Sequence, residues 1–344
     1  MKKTNLVSLV ILIIIALMFP VRAISSDVVL GLLQEQAKKG NAEAQEELGR
    51  CFYYGHKVEK DHYQAAEWFR KAAEQGNMKA QYSLGILYGR GQGVPQDFNL
   101  MVKWYRAAAE QGMVEAQSDM GYAFENGYGV KQDYIKAVEW YLKAARHDYA
   151  TALTNLGGLY VYGRGVPQDY KLAQEFFLKA ALQSDSLAEF QLGRIFYLGL
   201  GVEKNYTESA KWLKKSADHG SREGQNSLAF FYLNGLGGLS IDKGKAIDLV
   251  ERSARQGWGE AQNNLAQAYE EGMENLPRDY QQAYAWYSVA YVNGNEQAKV
   301  KKMEIAGKLS KRELDETRLI SQKYIELYSN GYNGARLFAD QSCE

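Results

Sequence analysis

The feature that most constrains this chain is an internal repeat with a period of 36 residues. Glycines and aliphatic residues recur at that spacing, and so do large aromatic residues. The aromatic register comprises Trp68, Trp104, Trp140, Phe176 and Trp212, and it continues, after a frame shift that follows Gly237, to Trp286. A repeat of this length indicates one array of stacked units rather than two or three separate globular domains.

Each repeat predicts two helices. The first, as in Ala80 to Tyr88, places apolar side chains three and four residues apart, which is the spacing of one helix face. Glycines follow where that helix should end, because a left-handed residue is common there. An Asp or Asn such as Asp133 precedes the second helix, where its side chain can accept hydrogen bonds from free backbone amides. Such a helix pair cannot bury its apolar face alone and must stack on its neighbours.

The predicted organisation covers the whole chain. Residues 24–40 form an N-terminal capping helix, residues 295–328 form C-terminal capping helices, and residues 329–344 form a flexible tail. A capping box at Ser310 and Glu313 opens the last helix. Between the caps, seven repeats are predicted at 41–76, 77–112, 113–148, 149–184, 185–220, 221–257 and 258–294.

Residues 1–23 are predicted to be a signal peptide. Lys2 and Lys3 precede a fourteen-residue apolar run that ends at Phe19, and Ala23 provides a small residue at the cleavage point. A membrane-spanning helix needs about 18 apolar residues or more, so the run is short for an anchor. We therefore expect cleavage and a periplasmic or secreted bacterial protein. Retention of the segment would instead give a membrane-anchored one.

The repeat resembles that of a known family. The consensus reads Ala-x-Ala-Gln-x-x-Leu-Gly-x-Leu-Tyr, then Gly-x-Gly-Val-x-Gln-Asp-Tyr, then Ala-x-x-Trp-Tyr-x-Lys-Ala-Ala. It is similar to the Sel-like repeat (SLR) family, the glycine-richer relatives of tetratricopeptide repeats, and residues 116–145 match almost position for position. The resemblance implies an all-α, right-handed superhelical solenoid whose concave face binds proteins or peptides. Exported bacterial members are implied to act in envelope assembly, periplasmic regulation or contact with host cells.

Two departures bear on function. A cysteine-rich branch of the family carries paired cysteines in each repeat, and some of its members are linked to penicillin binding and weak β-lactamase activity. This chain has only Cys51 and Cys343, so the resemblance lends little support to a hydrolase. The sixth repeat has Asp248 and Leu249 where the pattern places its tryptophan.

Composition excludes several other classes. The chain has 41 Lys and Arg against 41 Asp and Glu, so its zero net charge does not predict a nucleic-acid partner. Cys51, His56 and His62 lie close in the first repeat, but Cys51 occupies an apolar helix position and we predict no metal site or cofactor. We also expect no Cys51–Cys343 disulfide, because the two residues belong to opposite ends of the array. No nucleophile, acid or base constellation is apparent, so no catalytic residue is predicted.

Candidate binding positions are those at which the first helices of the repeats differ. If the geometry of the family holds, they line the concave face, and aromatic, Arg and Asn side chains suit peptide binding there. The predicted groove residues are Tyr82, Tyr122, Asn155, Arg194, Asn226, Phe230 and Asn263. The aromatic register from Trp68 to Trp286 is assigned to the structural core of the repeats.

The leading functional hypothesis is a non-enzymatic scaffold or adaptor for a protein or peptide partner. A hydrolase acting on cell-wall or β-lactam substrates is the alternative from another class. A membrane-anchored periplasmic regulator is a second alternative and requires retention of the segment 1–23.

Overall fold

The computed structural model of the chain describes residues 26–273 and 276–329. These residues form 17 helices, and their only β-structure is one bridge between Met273 and Leu276. In chain order the helices are α1 Ser26–Lys38, α2 Ala42–Tyr54, α3 His62–Glu74, α4 Met78–Arg90, α5 Phe98–Glu110, α6 Val114–Asn126, α7 Tyr134–Ala145, α8 Ala150–Tyr162, α9 Tyr170–Ala181, α10 Ser186–Leu198, α11 Tyr206–Asp218, α12 Arg222–Asn234, α13 Lys243–Arg255, α14 Gly259–Glu271, α15 Tyr280–Val292, α16 Glu296–Ala306 and α17 Lys311–Tyr328.

The helices pair as the repeat predicts. The first helices of repeats one to seven are the even-numbered α2 to α14, and the second helices are the odd-numbered α3 to α15. The chain divides into two compact units, Met1–Met113 and Val114–Glu344, which hold repeats one and two and repeats three to seven respectively. In the first unit, consecutive helices from α1 to α5 pack on each other, and so do those from α6 to α15 in the second, where α16 and α17 both pack on α15. The all-α repeat solenoid expected from the sequence is therefore confirmed.

Helix ends follow the predicted capping chemistry. The side chain of Asp133 accepts the backbone N–H of Lys136 at 3.1 Å, and the equivalent Asp or Asn caps the second helix of every other repeat. The capping box of Ser310 and Glu313 is also present at the start of α17. Each cap of this kind stabilises its helix by about 1 kcal/mol. Capping therefore fixes where the second helix of each repeat starts.

The two helices of a repeat approach closely at a glycine of the first helix. A Cβ added to Gly157 would lie 2.6 Å from Cε1 of Phe177, and one added to Gly121 would lie 2.6 Å from Cδ1 of Tyr141. The same contact joins Gly49 to Phe69 and Gly85 to Tyr105 in the first unit. Since real carbon atoms do not approach so closely, any side chain at these positions would push the helices apart. The ring that faces the glycine is fully or almost fully buried in each case.

The predicted aromatic core is corrected by one position. Trp68, Trp104, Trp140, Phe176 and Trp212 are only half-buried, and the buried ring or aliphatic side chain is the following residue. A lysine ammonium lies over the ring of each of these four tryptophans, as where that of Lys143 lies 3.6 Å from the centroid of Trp140. The tryptophan thus lies at the border between core and solvent, because the glycine contact draws its neighbour into the centre of the repeat.

Trp286 is the exception in this register. It is 3% exposed, since the rings of Tyr324 and Tyr328 on α17 lie 5.0 Å and 5.3 Å from its ring. The last helix therefore covers the outer face of the seventh repeat. At the other end of the described chain, Leu30 and Leu33 of α1 pack against the core of the first repeat.

A pair of polar side chains joins the two helices of most repeats near the end of the second helix. Gln75 Nε2 donates to Gln45 Oε1 at 2.7 Å, and the same contact recurs in repeats two, six and seven. In the fifth repeat the pair is His219 Nδ1 and the buried Glu189, 2.7 Å apart. These contacts satisfy polar groups that packing removes from water.

Two predicted segments lie outside the described residues. The signal peptide, 1–23, precedes them, and nearly all of the tail, 330–344, follows them. In the part of the chain that the structure describes, no helix is long and apolar enough to cross a membrane.

Adjacent glycines of α8 provide a matched test of the close approach. Gly157→Ala should destabilise the protein by about 1–3 kcal/mol, because the new methyl group overlaps the buried ring of Phe177. Gly158→Ala meets no atom within 4 Å and should stabilise the helix by about 0.5–1 kcal/mol. Urea unfolding followed by circular dichroism measures both. Equal midpoints for the two variants would show that helix separation is not set by this contact.

Candidate functional site

The series of buried rings is interrupted in the fifth and sixth repeats. Phe69, Tyr105, Tyr141 and Phe177 occupy the buried position in repeats one to four, and Tyr287 occupies it in the seventh. The fifth and sixth repeats have Leu213 and Val250 there. Their side chains are smaller than a ring, so less of the space between the helices is filled.

An open pocket of about 490 Å³ lies at this interruption. Both Leu213 and Val250 line it, together with Gly193, Ile247 and Leu265. The walls come from the first helices α10, α12 and α14 and the second helices α11 and α13. The pocket therefore belongs to three consecutive repeats of the second unit. Its volume is in the range of sites that hold small ligands or several side chains.

Two aromatic side chains, the exposed Phe230 and the half-buried Tyr197, form one rim of the pocket. Phe230 is 45% exposed although it is a large apolar residue. Its ring meets that of Tyr197 edge to face, with 6.3 Å between the centroids. Tyr197 and Phe230 both line the pocket. Apolar area that stays accessible beside a pocket is typical of an interaction site.

The polar groups of the pocket are few and lie at its edge. Asn264 Nδ2 donates to Asn226 Oδ1 at 3.0 Å, which links the first helices of repeats six and seven. Gln267 Nε2 donates to Glu271 Oε1 at 2.8 Å, so the carboxylate of the lining residue Glu271 is held on its own helix. Apolar walls with a few fixed polar groups are the usual composition of a binding pocket.

Arg194 is the one basic residue among those that line the pocket. Its guanidinium donates to Gln191 Oε1 at 2.9 Å and to the Tyr162 hydroxyl at 3.5 Å, and it lies 5.8 Å from the centroid of Phe190. Among the described residues no carboxylate forms an ion pair with it. A half-buried cation is thus held in place by neutral groups, which leaves its charge available to an anion.

Three of the predicted groove residues, Arg194, Asn226 and Phe230, come together at this pocket. Asn263 lies instead in a neighbouring depression of about 640 Å³ beside Trp258 and Asn293. There its Oδ1 atom is buried and has no hydrogen-bond partner among the described residues.

The other three predicted groove residues lie elsewhere. The ring of Tyr82 packs 5.3 Å from that of Tyr105 in the first unit, and Tyr122 stacks on Tyr128 at 6.0 Å in the third repeat. Asn155 is half-buried on α8. Binding by these three residues stays a prediction.

Sequence reasoning missed the residues that make the pocket. The sequence pattern places the departure of the sixth repeat at Asp248 and Leu249, near the tryptophan register, whereas Val250 in the next position lines the pocket. The sequence of the sixth repeat departs from the pattern at two positions that could have indicated the pocket. Val250 replaces the buried ring, and Ala229 replaces the glycine that faces this ring in repeats one to four. Tyr197 was likewise missed.

The cysteine and the two histidines of the first repeat lie among apolar or aromatic groups. Cys51 is buried, as its apolar helix position predicts, and burial raises the pKa of its thiol. Cys343 lies outside the described residues, so the absence of a disulfide between the two cysteines stays a prediction. His56 stacks on Tyr54, while burial and the nearby Lys60 lower the pKa of His62. Within 26–273 and 276–329, no group of three His, Cys, Asp or Glu residues is arranged to hold a metal ion.

Comparison with protein families matches seven segments of the chain to the Sel1 repeat. They are residues 42–77, 79–113, 114–149, 150–185, 186–221, 222–258 and 259–295, and each starts one or two residues after a predicted repeat. A comparison with curated proteins gives no match.

Solved structures resemble the chain over most of its length. A Sel1 repeat protein from Oxalobacter formigenes is 31% identical, with 83% of each chain covered and a TM-score of 0.63. A protective antigen of uropathogenic Escherichia coli strains that displays an SLR fold is 28% identical, with 91% of this chain and 82% of that chain covered and a TM-score of 0.47.

The pocket itself can be tested by restoring the ring. Val250→Phe combined with Ala229→Gly reproduces the glycine and ring of the first and fourth repeats, and the new ring should fill the pocket. Ala229→Gly alone should lower stability by about 0.5–1 kcal/mol. The double variant should recover that loss, because it buries an additional ring.

Thermal unfolding of the single and double variants measures this recovery. Fluorescence of the apolar anion 1-anilinonaphthalene-8-sulfonate, which should bind the open pocket, reports whether it has closed. Unchanged dye fluorescence in a well-folded double variant would mean that Val250 does not control the opening.

Proposed function

Since this chain belongs to the Sel1 repeat family, we propose that it is a scaffold that binds a protein partner at the pocket between repeats five and seven. The observation that carries the proposal is the coincidence of an open apolar pocket, an aromatic rim that includes the exposed Phe230, and an arginine without an ion-pair partner among the described residues. Apolar area in contact with water is unfavourable, and a partner that covers the pocket and its rim would remove that area from water and could supply a counter-charge to Arg194.

The chemistry of the pocket fits protein recognition. Aromatic and arginine side chains at a pocket dominate the binding energy of protein interfaces, and Tyr197, Phe230 and Arg194 supply them here. The helices that carry them are packed on both sides by neighbouring repeats. A rigid surface of this kind loses little conformational entropy on binding.

We propose that the scaffold has no catalytic activity of its own. Its function would depend on holding a partner rather than on transforming a substrate. The hydrolase alternative is suggested only by the cysteine-rich branch of similar repeats, and the two cysteines of this chain do not reproduce those pairs. The described histidines and carboxylates supply no observation that favours it.

We also propose that the protein is exported and acts in the bacterial periplasm or outside the cell. The basic, apolar and small residues in the order of a secretory signal within 1–23 support export. The two solved relatives described above come from bacteria. Envelope assembly, periplasmic regulation and contact with a host cell are all roles that an exported scaffold can fill.

Site-specific photocrosslinking in the native cells tests the binding function. With the photoreactive residue p-benzoylphenylalanine in place of Phe230, we expect a discrete covalent adduct with one protein partner, because this side chain lies exposed at the pocket. Gel electrophoresis and mass spectrometry identify the adduct.

The matched control places the same residue at Leu182. That side chain is 86% exposed at the end of α9 and does not line the pocket. Adducts of equal yield at both positions, or none at either, would contradict a specific binding site at Phe230.

Mass spectrometry of the protein isolated from those cells tests export. A first residue of Ile24 is expected if the signal segment is removed after Ala23. Recovery of the intact segment 1–23 in the membrane fraction would support the membrane-anchored regulator instead.

A further inference from the structure

We infer that the pocket binds an aromatic side chain of the partner, with a carboxylate close to it in the partner's sequence. This inference rests on the proposed function, and it names the chemistry of the partner. It follows from the absence of an aromatic ring at the buried position of repeats five and six and from the positive charge of Arg194 at the edge of the pocket.

The ring is inferred from the internal comparison of repeats. In repeats one to four a Phe or Tyr ring lies against the glycine of the first helix, and in the fifth and sixth that space is bordered by Leu213 and Val250. Gly193, which corresponds to the ring-facing glycines, also lines the pocket, and the side chain packed against it is Leu213, whose Cδ2 atom would lie 2.7 Å from an added Cβ. An incoming ring would thus pack beside Leu213 and Val250, whose side chains are smaller than the rings of repeats one to four.

The size and surroundings of the pocket agree with this occupant. Its volume of about 490 Å³ is more than one ring requires, so neighbouring atoms of the partner can enter with it. Tyr197 and Phe230 at the rim would contact the incoming ring at its edge, and such aromatic contacts contribute beyond the area they bury.

The carboxylate is inferred from Arg194. This guanidinium is half-buried beside the aromatic rim, and its contacts within the described chain are to neutral groups. A guanidinium pairs best with a carboxylate, and it does so with up to two parallel hydrogen bonds. Glu271 lines the opposite end of the pocket on α14, so an acidic group is favoured only near repeat five. An acidic residue within two positions of the aromatic one meets this requirement.

The experiment is selection of a phage-displayed random dodecapeptide library on the full chain, read by sequencing. On the wild type, we expect enrichment of peptides with an aromatic residue and an acidic residue within two positions of it. Arg194→Glu should abolish the preference for acidic residues and favour Lys or Arg in their place. In binding assays, one selected peptide should bind this variant about tenfold more weakly or worse, as expected for reversal of a close charge pair.

The pocket-filling variant, Val250→Phe with Ala229→Gly, should lose the enrichment altogether. Arg194→Glu changes a half-buried side chain at the rim, so it keeps the inference testable even if the core variant folds poorly. An acidic preference that persists in Arg194→Glu would overturn the inference. Selection of the same peptides by the wild type and by a folded pocket-filled variant would also overturn it, as would no enrichment on the wild type.

One other occupant is present in the chain. Phe338 and Asp340 of the segment 330–344 satisfy the same chemistry, and that segment follows the last described helix. If enrichment appears only on a Phe338→Ala variant, the protein's own tail occupies the pocket and the inference of a partner is wrong.

The outcomes of the peptide selection can be distinguished from those of the crosslinking. An adduct at Phe230 without the expected peptide preference would support the proposed scaffold function and contradict the inferred chemistry of the partner. The peptide preference without an adduct would contradict the proposed scaffold function in the native cells.

Discussion

The contact on which the structure depends is the approach of two helices at a glycine. In repeats one to four the missing side chain lets a Phe or Tyr ring lie directly against the backbone of the partner helix. The ring then fills the centre of the repeat, and the preceding residue, a tryptophan in repeats one to three and Phe176 in the fourth, is displaced to its border. A lysine lies over each of those three tryptophans. Helix caps and polar pairs fix the ends of the helices around this contact. The repeat is therefore organised from one pair of residues outwards.

The candidate site arises where this arrangement changes. Leu213 and Val250 leave space that the rings of other repeats fill, and the first helices beside that space carry Arg194, Asn226 and Phe230. The architecture is not disturbed, since the fifth and sixth repeats keep their caps and their polar pairs. A repeat array can thus open a pocket without a loop insertion or a change of helix length. Function is proposed at the place where the core of the repeat is incomplete.

Much of the fold follows from periodicity, because a register that recurs every 36 residues marks helix starts and ends several times over. Asp133 and Ser310 could be assigned as caps since capping depends on local sequence. Burial was harder, because Trp140 and Tyr141 are adjacent and only the position of the facing glycine decides which of them is central. The pocket depends on side chains from five helices. Comparison of first-helix positions alone therefore identified Arg194, Asn226 and Phe230 but not Leu213 and Val250, which lie on second helices.

The interruption of the ring series has a consequence for how such proteins can be compared. Leu213 and Val250 are two positions in a chain of 344, and replacing them alters neither the repeat length nor the number of helices. Two arrays of the same length and fold can therefore hold their openings at different repeats and still align from end to end. Overall sequence identity reports how well the repeats match, whereas the repeat at which a pocket opens can vary independently of it. Relatives that superimpose well can differ completely in what they hold.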